Sequence, residues 1–252
     1  MMSNLKNTLI SASVLAIILL SSQVYAISID TMVSFGDSKG KAELVVTNSD
    51  SQRQFINVTI NKVNLENGDF TFEPYTRNNI EKWEVEATPA RTIIDPGFHK
   101  KVVVRNILPM SEWSDHEDRI YQLNIIPTPY MSEANGETKN PVLVTFGFAP
   151  FVVLPAKQTP PIEYEFTYLG DKVEIFNYGK GYFSASVSSC DDNTEEMEKS
   201  ECAVSVVVLS GRRLVLELPE KMKNQNKFEV SLISHANKFR VEKTYHFNNP
   251  RG

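Results

Sequence analysis

The sequence predicts an all-β protein built from two β-sandwiches. Three observations carry this. Short runs rich in β-branched and aromatic residues recur along the chain, turn residues separate them, and no segment keeps a helical period over three or more turns. A polar break closed by prolines, Pro155-Ala-Lys-Gln-Thr-Pro-Pro161, divides the runs into two groups.

In chain order, the first segment reads as an address. Lys6 precedes the apolar run Val14–Leu20, and small residues lead to Ala26. This describes a secretory signal peptide over 1–26, cut after Ala26, and the run is too short for a transmembrane span. The mature chain is therefore expected to be exported and soluble, without membrane insertion.

Strands are predicted at 41–47, 55–60, 101–105 and 120–126, with turns at Asn48-Ser-Asp50, Asn67-Gly68, Asp95-Pro-Gly97 and Asn135-Gly136 between them. Residues 27–155 form the first domain. Residues 156–161 are a short linker, and 162–252 form a second domain with strands at 164–168, 172–176, 203–209, 214–218 and 228–233. Two sandwiches on a short hinge leave a cleft between them.

Composition removes several functions. The net charge is -5, and losing the leader with its one charged side chain, Lys6, makes it -6. A mildly acidic chain has no global attraction for nucleic acid. Four scattered histidines form no metal pair, and two cysteines are too few for a four-thiolate zinc site. His-Glu-x-x-His, Gly-x-Ser-x-Gly and a glycine-rich phosphate loop are all missing, so neither an enzyme nor a cofactor is expected. Cys190 and Cys202 flank an acidic, turn-rich stretch. In an oxidising compartment that pair predicts a disulfide, the alternative being a metal site with Asp191 and Asp192. Closing the loop stabilises the fold by about 3 kcal/mol in the chain-entropy model.

Pro141–Pro155 is the most apolar stretch of the mature chain. By strand alternation Val142, Val144, Phe146 and Phe148 share one face, with Leu143, Thr145, Gly147 and Ala149 on the other. Such a strand either closes its own core or offers one face to a partner. Pro150 predicts interrupted pairing, as at an edge or bulge.

Thr88-Pro89, Ile93-Ile94-Asp95-Pro96-Gly97 and Val102-Val-Val-Arg105 resemble the strand-turn-strand signature of periplasmic pilus-assembly chaperones of the PapD-like family. Asp118-Arg119-Ile-Tyr-Gln-Leu123 with Ile126-Pro127 resembles their next strand. The loop 128–140 leading into the apolar stretch follows the family's order, and Ser34-Phe35 with Glu43–Asn48 resembles its opening strands. The paired Cys190 and Cys202 resemble the branches serving alternative or common-pilus systems.

The resemblance implies a boomerang of two immunoglobulin-like domains in the periplasm, without catalysis. It implies a chaperone that donates a β-strand to pilin or fimbrial subunits and delivers them to an outer-membrane usher. The donor face is then Val142, Val144, Phe146 and Phe148, which together bury on the order of 6–12 kcal/mol of apolar contact before association costs. Whether the free protein self-associates to hide that edge stays open. Family members hold the subunit's terminal carboxylate with two basic residues. The matching positions here fall near Met32 and near Ala149 or Pro150, none of them basic, which leaves Arg105 and Arg119 as candidate anchors. The alternative is a secreted structural or adhesive β-sandwich protein such as a pilus subunit. A pilin, however, would begin with a longer alternating apolar extension than Ile27-Ser-Ile-Asp30.

Overall fold

The computed structural model describes residues 27–66, 69–130, 146–191, 194–195, 198–223 and 225–247. The leader 1–26, and with it the predicted cleavage point, lies outside the described residues. The described residues carry seventeen strands and only short helical turns. The all-β expectation is borne out.

The first lobe contains β1 (Ile27–Ile29), β2 (Val33–Phe35), β3 (Lys41–Asn48), β4 (Gln54–Glu66), β5 (Asp69–Pro74), β6 (Val85–Thr88), β7 (Arg91–Ile94), β8 (His99–Asn106), β9 (Arg119–Pro129) and β10 (Phe151–Leu154). One sheet has the order β1-β3-β8-β6 and the other β2-β10-β9-β4-β5, with β7 also on β4. Alternation builds the core between them. Along β3, Ala42, Leu44 and Val46 turn inward while Lys41, Glu43 and Val45 stay at the surface. They meet Ile56, Val58, Ile60, Val102, Val104, Leu123, Ile125, Val152 and Leu154 in one buried cluster.

The second lobe contains β11 (Tyr164–Tyr168), β12 (Lys172–Asn177), β13 (Phe183–Ser188), β14 (Ala203–Val208), β15 (Arg213–Glu217), β16 (Lys227–Ser234) and β17 (Arg240–His246). Its sheets run β11-β12-β15 and β14-β13-β16-β17 around Val173, Ile175, Phe183, Val187, Met222, Phe228 and Leu232. Cys190 and Cys202 are disulfide-bonded, as the sequence predicted.

β1 and β2 are one strand that changes sheets. Ile27–Ile29 pairs antiparallel with β3, whereas Val33–Phe35 pairs parallel with β10. Asp30 anchors the crossover, since its carboxylate accepts from Val45 N–H at 2.8 Å and its own N–H donates to Val45 O at 3.2 Å. The crossover decides how much of the sheet edge beside β10 is covered.

A small third cluster joins the lobes: Val63, Ile120 and Val153 from the first pack with Tyr182 and Leu209 from the second. Phe35 stacks on Tyr182 with centroids 4.3 Å apart, and Arg212 lies over Phe70 at 5.0 Å. The connector is tied down as well. Lys157 N–H donates to Ser114 O (3.1 Å) and Gln158 N–H to Asp115 O (3.0 Å).

Candidate subunit-binding edge and interlobe hollow

Of the four predicted donor residues, Val142 and Val144 lie outside the described residues. Phe148 exchanges two backbone hydrogen bonds with Ile125, each 2.9 Å, and is half-buried against the first lobe's core. Phe146, one side-chain repeat further out, is 80% exposed. The apolar row thus begins at home and continues into solvent.

Pro150 interrupts pairing on the home side. Phe148 N–H and C=O point at Ile125, so residue 150 points at Leu123, and Pro150 C=O does accept from Leu123 N–H at 2.9 Å. The missing N–H removes one bond to β9, and the regular ladder of β10 starts only at Phe151. The odd residues face the other way, as shown by Phe151 N–H donating to Met32 O at 2.9 Å. β2 covers that outer edge from Phe151 to Val153. Before Phe151 the chain is crossing from the other sheet, and among the described residues no strand covers the outer edge of 146–150. Met32, 54% exposed, stands where this open stretch ends.

The candidate anchors differ. Arg105 is on β8, 56% exposed, and its guanidinium reaches Glu86 at 3.5 Å. Arg119 begins β9, is mostly buried, and lies 3.6 Å from Glu84. Glu84 also receives the Tyr121 hydroxyl at 2.5 Å and pairs with Lys62. Burial pushes the Glu84 carboxyl up, but Lys62, Tyr121 and the Arg119 guanidinium outweigh it and hold it below its usual range. With Glu84 occupied by Lys62 and Tyr121, Arg119 Nη1 is buried without a hydrogen-bond partner. Lys62 and Arg119 share the wall of a hollow of about 500 Å³ with Asn64, Ser114 and Ser210. Arg105 does not line it.

Asp118 also borders this hollow. Its carboxylate is buried and accepts from two backbone N–H groups, Ala156 (2.9 Å) and Tyr182 (2.8 Å). Burial raises its pKa even against those two bonds. Lys62 and Glu84 escaped sequence reading, and Asp118 and Met32 were named there without these contacts, because their partners come from distant strands. For Asp118 the one available signal was a carboxylate directly before an apolar strand.

The two sandwiches have the two-domain fold of solved fimbrial-chaperone structures. Residues 29–155 match the family described as CS5 fimbrial protein N-terminal domain, and the chain belongs to that family. The fold likeness includes a chain from the Salmonella enterica SafA pilin in complex with the SafB chaperone, 14% identical, with a TM-score of 0.50 over 90% of this chain and 98% of that one. The class 5 fimbriae chaperone CfaA matches at 12% identity and a TM-score of 0.47, over 87% of this chain and 99% of that one. An Escherichia coli relative described as an uncharacterized 25.9 kDa protein in the CS5 3' region is 26% identical over 137 residues, 53% of this chain. The match spans 56% of that relative's length.

Proposed function

We propose that the chain is a periplasmic chaperone for fimbrial subunits, lending its 142–148 stretch to an incomplete subunit that an outer-membrane usher then receives. The observation that carries the reading is Phe146, an exposed ring on a segment whose outer backbone edge no strand among the described residues covers, while Phe148 fixes it to the core. An added strand would gain backbone hydrogen bonds there, and its sandwich would extend the apolar row. Such an edge is otherwise an aggregation hazard.

Arg119 would hold the subunit's terminal carboxylate, supported by its buried Nη1 at the hollow, which lies 3.6 Å from Glu84 and has no hydrogen-bond partner. Arg105 has no such support, being exposed and already paired with Glu86.

The family's description as a fimbrial protein favours a second reading, a subunit of the fibre itself. Against it, the first lobe already has both sheets facing one filled core. Co-expression with a subunit encoded beside this chain tests both readings. The chaperone reading expects a one-to-one soluble complex that Val144→Asp plus Phe146→Asp abolishes while the variant stays folded. Retained protection by that folded variant refutes the strand assignment, and appearance of the chain in assembled surface fibres supports the subunit.

A further inference from the structure

We propose that Asp118 is the pin that fixes the angle between the two lobes. The apolar cluster at the joint buries Val63, Ile120 and Val153 on one side and Tyr182 and Leu209 on the other, with Val33, Phe35, Phe70, Phe151 and Val207 partly buried around them. Apolar contact is non-directional and tolerates sliding. Hydrogen bonds do not, because they weaken steeply with angle. Asp118 supplies three of them from one residue of the first lobe. One carboxylate oxygen accepts from Ala156 N–H at 2.9 Å, in the connector directly after β10. The other accepts from Tyr182 N–H at 2.8 Å, at the entrance to β13. The Asp118 N–H donates to Lys180 O at 3.0 Å in the same turn of the second lobe.

The turn that Asp118 grips is itself rigid. Asn177, fully buried, donates to Gly181 O at 2.9 Å and to Val208 O and Leu209 O, both at 3.1 Å. The Tyr182 hydroxyl meets His235 Nδ1 at 2.9 Å, and its ring stacks on Phe35. A displacement at Asp118 would therefore move the second lobe as a body. Backbone groups supply every partner of this carboxylate, so the charged residue alone carries the specificity. This assignment stands apart from the chaperone reading and concerns the free protein.

The test is a spin-label distance between the lobes. Both native cysteines are locked in the disulfide, so Lys100→Cys and Thr244→Cys, each exposed, give one label per lobe. The parent is expected to give one narrow distance. Asp118→Asn keeps one acceptor but sets an amide N–H₂ against the second N–H. That variant is expected to lose the single peak while far-ultraviolet circular dichroism stays unchanged. Phe35→Leu, which keeps the carboxylate, is expected to keep the peak. An unchanged peak in Asp118→Asn, or equal loss in Phe35→Leu, overturns the proposal. Should Asp118→Asn fail to fold, Asp118→Glu decides. With its longer arm it is expected to give a shifted peak, and a peak at the parental distance overturns the proposal.

Discussion

Phe146 and Phe148 are two residues apart, yet Phe148 packs against the core of its own lobe while Phe146 is 80% exposed. The same residue type therefore has two energetic roles here. Phe146→Asp is expected to change the stability of the free protein by no more than about 0.5 kcal/mol, as for other exposed positions. Phe148→Ala is expected to cost about 1–3 kcal/mol, less than a fully buried phenylalanine. Urea unfolding of the two variants separates these effects, and equal losses would contradict the placement of Phe146.

Glu84 makes first-lobe stability depend on acid. Its folded-state pKa is lowered, so the unfolded chain takes up the proton first as pH falls. Its contribution is complete above the unfolded value near 4.5 and drains away as pH drops through the lower, folded one. Glu84→Gln is expected to cost roughly 1–3 kcal/mol at pH 7, because it strands two part-buried cations, Lys62 and Arg119. It should also flatten the dependence of the unfolding midpoint on pH as pH falls below about 5. A parallel pH profile for parent and variant would exclude this role.

At the joint, a β-carbon added to Gly211 would fall 2.0 Å from Leu65 Cδ2, and Gly211 has φ +71°. Gly211→Ala carries both a left-handed strain of about 1–2 kcal/mol and a collision with the first lobe. Adding Leu65→Ala relieves only the collision. A double-mutant cycle by chemical denaturation is expected to give a favourable coupling of roughly 1 kcal/mol, and strict additivity would mean that the two residues do not touch.

Asn177 closes the second lobe's turn with one side chain. Asn177→Ala is expected to destabilise that lobe by about 2–4 kcal/mol, since it leaves the Gly179 N–H and the carbonyls of Gly181, Val208 and Leu209 without this partner. Differential scanning calorimetry reads this as a lower transition for the second lobe. An unshifted transition would show that water replaces the amide fully.

Strands whose apolar inward residues alternate without a break were legible in the sequence, as with Ala42, Leu44 and Val46 at 41–47 and Tyr164, Phe166 and Tyr168 at 164–168. β13 was not, because Phe183-Ser-Ala-Ser-Val-Ser188 alternates its buried residues with serine, a weak strand former. In β17 only Val241 and Tyr245 pack inward. β4 runs six residues past the predicted end at Ile60, because β5 pairs antiparallel with its second half and compensates for the polar Asn61, Lys62 and Asn64. At the site, alternation placed Phe146 on one face with Phe148, and only the family resemblance suggested that this face is offered to a partner. Pro150 was expected to interrupt pairing on one side, and the interrupted side is the one that faces β9. The Lys62–Glu84–Tyr121–Arg119 cluster and the contacts of Asp118 were hidden, because contact between residues tens of positions apart leaves no local period.

The crossover from β1 to β2 has one more effect. Because Met32 carbonyl already holds Phe151 N–H, a segment lying along 146–150 runs out of room there, whatever its sequence. On the chaperone reading the chain would thus carry its own bookend, dictating where a visitor must stop while leaving to the visitor which side chains it brings.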